Sequence, residues 1–384
     1  MIQKIGQACC GCGLCSQICP KKAITMQEDE EGFLYPQVDV KLCVSCELCV
    51  KCCPVESPPK MNEPEQVLGV KHINTEVRCN STSGGVFTAL SDAVLTGDGV
   101  VYGAVLDAQW RAVHTRAETQ NQRNAMRGSK YMQSSLGETF FQLRKDILEE
   151  KTVLFTGTPC QCAAISNFLK KERLREDQVI LTEILCTGVN SPRFWQDYCA
   201  FLEKKEKDSI LNVQFRSKDR GWTRETIRIE MQNKVYKKGY EKDPFCQCFA
   251  ESLIIRPSCH NCPYAREGRG ADITIGDFWA YTKLPEAFWD DGGISMVLIN
   301  TQKGKQLWKR AAGQLEVCGS DMETAVCRQA PLKHPVWRNN RRDAFWRCYL
   351  NQGIEAALRK YTDYGVISRW KRKLKRCARR LLRR

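Results

Sequence analysis

Cysteine is the residue whose number and spacing could do chemistry in this chain, which contains 23 cysteines among 384 residues. Two runs repeat the spacing C-x2-C-x2-C-x3-C-P: Cys9, Cys12, Cys15 and Cys19 before Pro20, and Cys43, Cys46, Cys49 and Cys53 before Pro54. In proteins that bind two [4Fe–4S] clusters through such runs, the first three cysteines of a run hold one cubane and the fourth ligates the other. We therefore predict one cluster on Cys9, Cys12, Cys15 and Cys53, and a second on Cys43, Cys46, Cys49 and Cys19. Two complete copies of the pattern make a pair of zinc knuckles the weaker alternative.

The residues around these cysteines suit a backbone wrapped tightly about each cluster. Gly11 and Gly13 allow the wrap, which directs amide N–H groups toward the sulfurs. Residues 24–40 are predicted to form a short hairpin that packs Phe33 and Tyr35 near the clusters. Cys10 and Cys52 fall between ligand positions and are predicted not to be ligands.

The composition limits the classes of protein to which this chain can belong. The N-terminus lacks the apolar core of a secretory signal, and no apolar run reaches the roughly 18–20 residues needed to span a bilayer. We therefore expect a cytoplasmic protein whose cysteines bind metal and are not paired in disulfides. The formal net charge is +15, but ten Lys or Arg lie in the last sixteen residues. Each oxidised cubane with its four thiolates also adds negative charge to the rest of the chain. The charge therefore does not indicate a nucleic-acid-binding core.

After a proline-rich linker over residues 58–66, the pattern changes to alternating strands and helices. Helices are predicted at 86–95, 136–148, 165–169 and 194–202, and strands at 100–106, 153–155, 179–185, 272–275 and 296–299. This alternation predicts an α/β domain with a mixed or parallel sheet covered on both faces.

Two turns in this domain could bind phosphate. Residues 81–85, STSGG, precede a predicted helix, and Thr156-Gly157-Thr158 lies between a strand and a helix. Backbone N–H groups at a helix N-terminus attract anions. A plain helix cap is the alternative for the first turn.

A further set of cysteines could form another metal site. Cys259 and Cys262 form a C-x2-C pair, Cys160 follows the second turn, and Cys186 ends a predicted strand. Strand ends and turns of an α/β domain meet at one edge of the sheet, so these four can converge. A structural zinc site and simple packing are alternatives, and Cys162, Cys246 and Cys248 are rival ligands.

The ordered motifs of this region resemble the beta subunit family of coenzyme F-420 hydrogenases and dehydrogenases. They are STSGGVFTAL (81–90), GSKYMQSSL (128–136), FTGTPCQCAAI (155–165), EILCTGVNSPRFW (183–195), FRSKDRGW (215–222) and RPSCHNCPYAREGRGADITIGDFW (256–279). They cover most of residues 65–300.

The resemblance implies an α+β ferredoxin-like domain for two [4Fe–4S] clusters over residues 1–57, and an α/β flavin-binding domain with a mixed sheet over 67–335. It implies FAD and a third [4Fe–4S] cluster, whose ligands would be Cys160, Cys186, Cys259 and Cys262. The flavin would lie against Ser83, Gly84, Gly85, Lys130, Tyr131, Thr156, Gly157, Thr158, Gly276 and Asp277. Such a flavin joins hydride chemistry to the one-electron chemistry of cubanes.

One residue differs from the pattern of the family, and the roles of several others and the identity of the substrate stay open. Thr187 stands where the family leads us to expect His, which puts a proton-handling role there in doubt. His260, between two predicted ligands, could tune a cluster or fill a turn, and Asp272 and Asp277 could serve the flavin site or cap a strand. Related flavoproteins reduce other substrates and similar fused proteins accompany surface-polysaccharide genes, so a glycan-related substrate stands beside coenzyme F-420.

The last domain, over residues 336–384, is predicted to be a basic helical tail. Trp370, Leu374, Cys377 and Leu381 fall on one helical face among the cations, the pattern of a helix on an anionic membrane surface. A solvated basic helix or a disordered end is the alternative.

The sequence as a whole predicts an iron–sulfur flavoprotein oxidoreductase that exchanges electrons with a redox partner protein or ferredoxin and hydride with a small molecule. The competing function is a non-catalytic electron-transfer subunit that connects a partner oxidoreductase. A redox sensor is a third class, but no DNA-binding motif supports it.

Overall fold

A computed structural model describes residues 1–365 of the chain. Its strands, β1 to β13 in chain order, are Ile24–Glu28, Leu34–Val38, Gln66–His72, Val100–Leu106, Ala112–Ala117, Val153–Gly157, Val179–Ile184, Ile210–Ser217, Thr226–Met231, Val235–Gly239, Ile273–Asp277, Ser295–Ile299 and Leu315–Ser320. Its helices, α1 to α12, are Leu14–Gln17, Leu48–Lys51, Thr75–Cys79, Val86–Leu95, Gln120–Asn124, Thr139–Leu148, Pro159–Glu172, Pro192–Glu206, Pro244–Ala250, Gln302–Ala311, Met322–Cys327 and Arg342–Tyr361. Short 3₁₀ segments occupy Ile2–Ala8, Glu176–Gln178, Pro257–Asn261, Tyr281–Lys283, Glu286–Phe288, Ala312–Gln314 and Ala330–Leu332.

The N-terminal unit has the predicted hairpin at its centre. Strands β1 and β2 pair antiparallel, with Ile24 opposite Val38, and Phe33 at the turn is fully buried. The short helices α1 and α2 lie within the two cysteine runs and pack against each other. The hairpin and the two helices thus form one small unit around the predicted cluster ligands.

An eight-stranded mixed sheet forms the body, in the order β13-β3-β12-β11-β7-β6-β4-β5. Strands β4, β6, β7 and β11 run parallel, and the outer strands are antiparallel to their neighbours. Strand β12 is an uninterrupted buried run, SMVLI, as expected for a strand covered on both faces. The predicted mixed α/β architecture is confirmed.

The parallel strands bring their carboxyl ends to one edge of the sheet. Gly157 ends β6, Cys186 follows β7, and Asp277 ends β11. Thr158 caps helix α7 and forms a capping box with Gln161, and Pro159 occupies the first helical position. The turn after β6 is thereby fixed at the edge where α/β sheets bind ligands.

A second, three-stranded antiparallel sheet, β10-β9-β8, was not among the sequence predictions. It packs with α8, α9 and α12 around a core that includes Trp195, Phe215 and Phe245. Helix α12 lies inside the segment predicted as a basic helical tail, and its Phe345 and Leu358 are fully buried in this core. The rest of the predicted tail, residues 366–384, lies outside the described residues.

The N-terminal unit is bonded to the body at many points. The Arg342 guanidinium pairs with the Glu31 carboxylate, with Nη1 2.8 Å from Oε1, and Asn167 donates to the carbonyls of Cys52 and Ser57. Tyr264 donates to the carbonyl of Pro54. Within residues 1–365, no helix combines the length and the apolar character that crossing a membrane requires.

Candidate functional site

The first predicted cluster position lies inside the N-terminal unit. Cys15 is buried, and burial raises its thiol pKa to about 12, with smaller contributions from the neighbouring thiols of Cys9, Cys53 and Cys49. Cys12 in turn lies close to Cys15 and Cys9. The amide N–H of Gly11 points at the Cys9 sulfur, 3.3 Å away, as the tight wrap predicts. The structure therefore brings together Cys9, Cys12, Cys15 and Cys53.

The second predicted cluster position is a separate cavity on the outer side of the same unit. Its walls include Cys19, Cys43, Cys46 and Cys49. The amide of Ala23 points at the Cys19 sulfur at 3.4 Å. Cys46 is exposed, so this cavity reaches the surface. The fourth cysteine of the first run thus joins the first three of the second run, as crossed ligation requires.

The third predicted set, in the body, lines another cavity. Its cysteines are Cys160, Cys186, Cys259 and Cys262. Burial raises the thiol pKa of Cys259 to about 12 and that of Cys262 to about 11. The amide of Gly188 points at the Cys186 sulfur at 3.4 Å. A donor set of four partly buried thiols around one cavity suits a metal cluster, because ligation deprotonates thiols that would otherwise stay neutral.

The rival ligands lie elsewhere. The Cys162 thiol is buried in the core of the large sheet and donates to the carbonyl of Thr182. Cys246 and Cys248 are buried in the core around the three-stranded sheet, and neither lines the cavity of the third set.

Cys10, predicted to have no role, lies between the first and third sets. Its thiol lies close to the thiols of both Cys12 and Cys160, and it lines the third cavity. The sequence shows Cys10 only as the neighbour of Cys9, and this gives no indication of a contact with Cys160, which is 150 residues away in the chain. The two predicted cluster positions are therefore linked through one side chain.

Across residues 1–365, no three His, Cys, Asp or Glu side chains converge closely enough to hold a single metal ion. The four ligands of a cubane each bind a different iron atom, so they stand farther apart than the ligands of one ion.

The predicted flavin residues surround a large cleft at the carboxyl edge of the main sheet. The cleft has about 2050 Å³ of empty space including its open mouth. All the predicted residues except Gly84 line it, namely Ser83, Gly85, Lys130, Tyr131, Thr156, Gly157, Thr158, Gly276 and Asp277. Gly84 instead faces the sheet, where an added Cβ would lie 2.2 Å from the carbonyl oxygen of Val70. A side chain at position 84 would push the loop off the sheet.

Within residues 1–365, four buried polar atoms of residues on the cleft wall have no hydrogen-bond partner. They are Nδ1 of His114, Nε of Arg127, Oγ1 of Thr156 and Nη2 of Arg216. Buried polar groups are nearly always paired in folded proteins, so unpaired groups that converge on one cleft point to a polar ligand. These residues fit a flavin, which offers both donors and acceptors.

His114 is neutral in this position. Burial lowers its pKa to about 4, against a smaller opposing effect of its bond to Thr156. Because the Thr156 carbonyl 3.0 Å away can only accept, Nε2 carries the proton and Nδ1 is left as an acceptor. The ring also stacks on Phe155, with centroids 5.2 Å apart. Sequence reasoning assigned His114 no role.

Other predicted flavin residues are already engaged within the chain. The Ser83 hydroxyl donates to the carbonyl of Ile294 at 2.8 Å. The Lys130 ammonium donates to three carbonyls of its own loop, those of Ala125, Arg127 and Gly128, and burial lowers its pKa to about 7. The polar groups of Ser83 and Lys130 are therefore already hydrogen-bonded within the chain, and they line the cleft without needing a ligand as a partner.

The two aspartates proposed for β11 have different surroundings. Asp277 accepts from Trp222 Nε1 at 2.8 Å and from Arg216 Nη1 at 3.1 Å, inside the cleft. Asp272, at the other end of the strand, accepts from the Leu181 amide and the Thr301 hydroxyl. Of the two interpretations left open, Asp272 therefore fits the strand cap, and Asp277 positions Arg216.

The opposite wall of the cleft is aromatic. Tyr131 contacts Phe249 and Tyr240, with ring centroids 5.2 and 6.3 Å apart. The Arg216 guanidinium lies 5.2 Å from the ring centroid of Trp279. The cleft is thus polar at the sheet edge and apolar where it faces the three-stranded sheet, a usual arrangement for a cofactor site.

The cleft and the third cysteine cavity share a wall. The residues common to both include Cys186, Thr187, Gly188 and Val189, the turn that follows β7. Thr158, which precedes Cys160 at the start of α7, also lines both. One turn of backbone therefore separates the two cavities.

His260 donates from Nδ1 to the carbonyl of Val336, 3.1 Å away. This bond holds residues 330–337 against the cysteine cavity, so it favours a structural role for His260 over tuning of a cluster.

Two parts of the chain match known families. Residues 8–57 match the family described as a 4Fe-4S dicluster domain, and residues 150–323 match the family described as the C terminus of the coenzyme F420 hydrogenase/dehydrogenase beta subunit. No curated protein matches the chain. Among solved structures, it is similar to a chain of the xenon-derivatised F420-reducing [NiFe] hydrogenase complex from Methanosarcina barkeri, with 18% identity over 78% of this chain and 92% of that chain, and a TM-score of 0.48.

The two matches together span more than half of the residues, in the order that the cysteine runs and the later motifs predict. Residues 8–57 therefore match a 4Fe-4S dicluster domain, and residues 150–323 are similar to the C-terminal part of coenzyme F420 hydrogenase/dehydrogenase beta subunits.

Proposed function

We propose that this chain is an iron–sulfur flavoprotein oxidoreductase that passes electrons between [4Fe–4S] clusters and FAD and exchanges hydride with a soluble acceptor. The observation that carries the proposal is the shared turn, because Cys186 to Val189 line both the third cysteine cavity and the flavin cleft. Bound clusters would supply one-electron transfer, and bound FAD would join it to two-electron chemistry.

The twelve cysteines divide into three ligand sets in this proposal. Cys9, Cys12, Cys15 and Cys53 hold the first cluster, and Cys19, Cys43, Cys46 and Cys49 hold the second. Cys160, Cys186, Cys259 and Cys262 hold the third. The Cys10 thiol bridges the first and third sets, and the exposed Cys46 places the second set where a redox partner protein can approach.

The flavin would be held by the sheet-edge turns and by the cleft's unpaired polar atoms. Thr156, Gly157 and Thr158 lie at the start of α7, where backbone N–H groups favour phosphate. Gly276 and Asp277 end β11 beside them. His114, Thr156 and Arg216 each have one polar atom free for the ligand.

The acceptor is proposed only as a soluble hydride acceptor, of which coenzyme F-420 is one. A glycan-related substrate stays a prediction from the sequence. The membrane contact predicted for the basic tail rests on residues outside those described.

Replacing His114 with Phe is expected to weaken FAD binding about tenfold, because one hydrogen bond to a buried neutral acceptor is lost. The phenyl ring can keep the stacking on Phe155. Titration of the apoprotein with FAD, followed by flavin fluorescence, measures the change. His72→Phe is the matched control, since His72 is equally buried but does not line the cleft, and it should bind FAD as the wild type does. Equal affinity of His114→Phe and wild type would remove His114 from the flavin site.

The proposal as a whole is tested by anaerobic purification, with iron, sulfide and flavin quantified on the same sample. We expect about twelve irons and one FAD per chain, as three cubanes and a flavin require. About eight irons without flavin would reject the oxidoreductase and leave a ferredoxin unit fused to a domain without cofactors. Full cofactors without turnover of any hydride acceptor would favour the non-catalytic electron-transfer subunit.

A further inference from the structure

Arg256 is a fully buried cation at the junction of the N-terminal unit and the body. Its guanidinium donates three hydrogen bonds of 2.8 Å: Nε to the carbonyl of Cys9, Nη1 to Oε1 of Gln133, and Nη2 to the carbonyl of Leu34. All three acceptors are neutral. The side chain therefore reaches from the body into the loop that carries the first ligand set.

The position of the guanidinium is fixed from several sides. It lies 4.4 Å from the ring centroid of Tyr35 and 5.2 Å from that of Phe33. A Cβ added to Gly11, where φ is +70°, would lie 2.7 Å from Arg256 Nη1. Close packing of the cysteine loop on the guanidinium thus depends on glycine at position 11.

Arg256 has no carboxylate partner within ion-pair distance among residues 1–365. The other buried arginines of the body do have one: Arg269 pairs with Glu183, Arg342 with Glu31, Arg123 with Asp92 and Arg216 with Asp277. A buried charge without a counter-charge is strongly unfavourable, so buried charges in proteins are paired or act on metals.

The negative charge near Arg256 comes from cysteine. The guanidinium is bonded to the backbone of Cys9, and it lines the cavity of Cys160, Cys186, Cys259 and Cys262. Three residues further along the chain, Cys259 donates its amide to the Arg256 carbonyl. A [4Fe–4S] cluster with four thiolates carries a net negative charge, which increases on reduction.

We propose that Arg256 is the shared counter-cation of the first and third cysteine sets and raises the reduction potentials of the clusters that they hold. A fixed positive charge stabilises the more negative, reduced form of a nearby centre. Because Arg256 lies beside both sets, it raises both potentials together and keeps the difference between them small. The part that concerns the third set rests on the proposed function, whereas the part that concerns the first set rests only on the dicluster domain.

The test is a redox titration of the anaerobic protein followed by electron paramagnetic resonance. Arg256→Met, which keeps the bulk of the side chain and removes its charge, should lower the equilibrium constant for one-electron reduction at two of the clusters at least tenfold, or about 59 mV. The second cluster, held by Cys19, Cys43, Cys46 and Cys49, should change least. Arg256→Lys, which keeps the charge, should stay near the wild-type potentials.

Arg342→Met is the matched control, because Arg342 is equally buried, also bonds the N-terminal unit to the body, and has its own carboxylate in Glu31. It should leave all three potentials unchanged. The proposal is overturned if Arg256→Met keeps its clusters at wild-type potentials, or if Arg256→Lys or Arg342→Met shifts them as much as Arg256→Met.

If Arg256→Met fails to accumulate with iron, Gln133→Glu decides the question. The new carboxylate would stand 2.8 Å from Nη1 and neutralise the guanidinium in place. Lowered potentials of the same two clusters would support the proposal, and unchanged potentials would overturn it. Absence of a third cluster would refute the proposed function, but the potential of the first cluster would still test Arg256.

Discussion

Cys186→Ser is expected to stop electron passage between the N-terminal clusters and the flavin while leaving those clusters reducible. Iron should fall from about twelve to about eight atoms per chain, with FAD retained. The rate of flavin reduction through the clusters should fall by more than the ~100-fold that loss of an outer-shell partner of a metal site costs.

The expectation follows from the position of Cys186 after β7. Its sulfur shares the cavity of Cys160, Cys259 and Cys262, and its residue also lines the flavin cleft. The amide of Gly188 already points at this sulfur at 3.4 Å, so the backbone is arranged for a thiolate at this position. A serine hydroxyl is a poor iron ligand, so the proposed third cluster, which would lie next to the proposed flavin site, would be lost.

Stopped-flow reduction with dithionite, monitored at flavin and cluster wavelengths, measures the effect. Cys162→Ser is the matched control, since Cys162 lies on the same helix as Cys160 but donates to the Thr182 carbonyl in the sheet core. It should retain twelve irons and normal flavin reduction. Wild-type iron content in Cys186→Ser, or loss of iron in Cys162→Ser alone, would show that the third ligand set is assigned wrongly.

The parts of the fold that the sequence predicted are those with local patterns. Helix Val86–Leu95 and strand Val100–Leu106 lie where their periodicity predicts them. The hairpin of the N-terminal unit is confirmed as well. The three-stranded sheet over 210–239 was missed because its motif, FRSKDRGW, is polar and was interpreted only through the family. Helix α12 was merged with the basic tail because the charge of residues 366–384 dominated the composition of the whole segment.

Some residues of the candidate site could be predicted from local spacing, and others could not. Fixed spacing predicted the two N-terminal cysteine sets, because ligands of one cluster recur at short intervals, whereas the third set was predicted from strand ends, turns and the family resemblance. Cys10 and Arg256 escaped notice because their roles depend on packing between segments far apart in the chain, such as Cys10 against Cys160. His114 was missed for a related reason: its free nitrogen is a consequence of the bond that Nε2 makes to Thr156 across the sheet.

Asp277→Asn is expected to weaken FAD binding about tenfold and to lower the free energy of unfolding by about 2 kcal/mol. Both neighbours of the carboxylate are donors, Nε1 of Trp222 and Nη1 of Arg216. An amide offers only one acceptor oxygen, so one donor must face the new NH₂ group. Arg216 keeps Glu225, 2.9 Å away, which limits the loss of stability, but its guanidinium is no longer held toward the cleft from both sides.

Asp272→Asn separates the two effects. Asp272 immediately precedes the same strand and also faces donors, the Leu181 amide at 2.8 Å, the Thr301 hydroxyl at 2.6 Å and the Lys303 ammonium at 3.3 Å. It should therefore lose a similar stability, about 1–3 kcal/mol, but it lies at the end of β11 away from the cleft and should bind FAD normally. Urea unfolding and FAD titration of both variants make the comparison. If the two variants lose FAD affinity equally, the loss reflects general destabilisation, and Asp277 has no specific part in positioning Arg216 for the flavin.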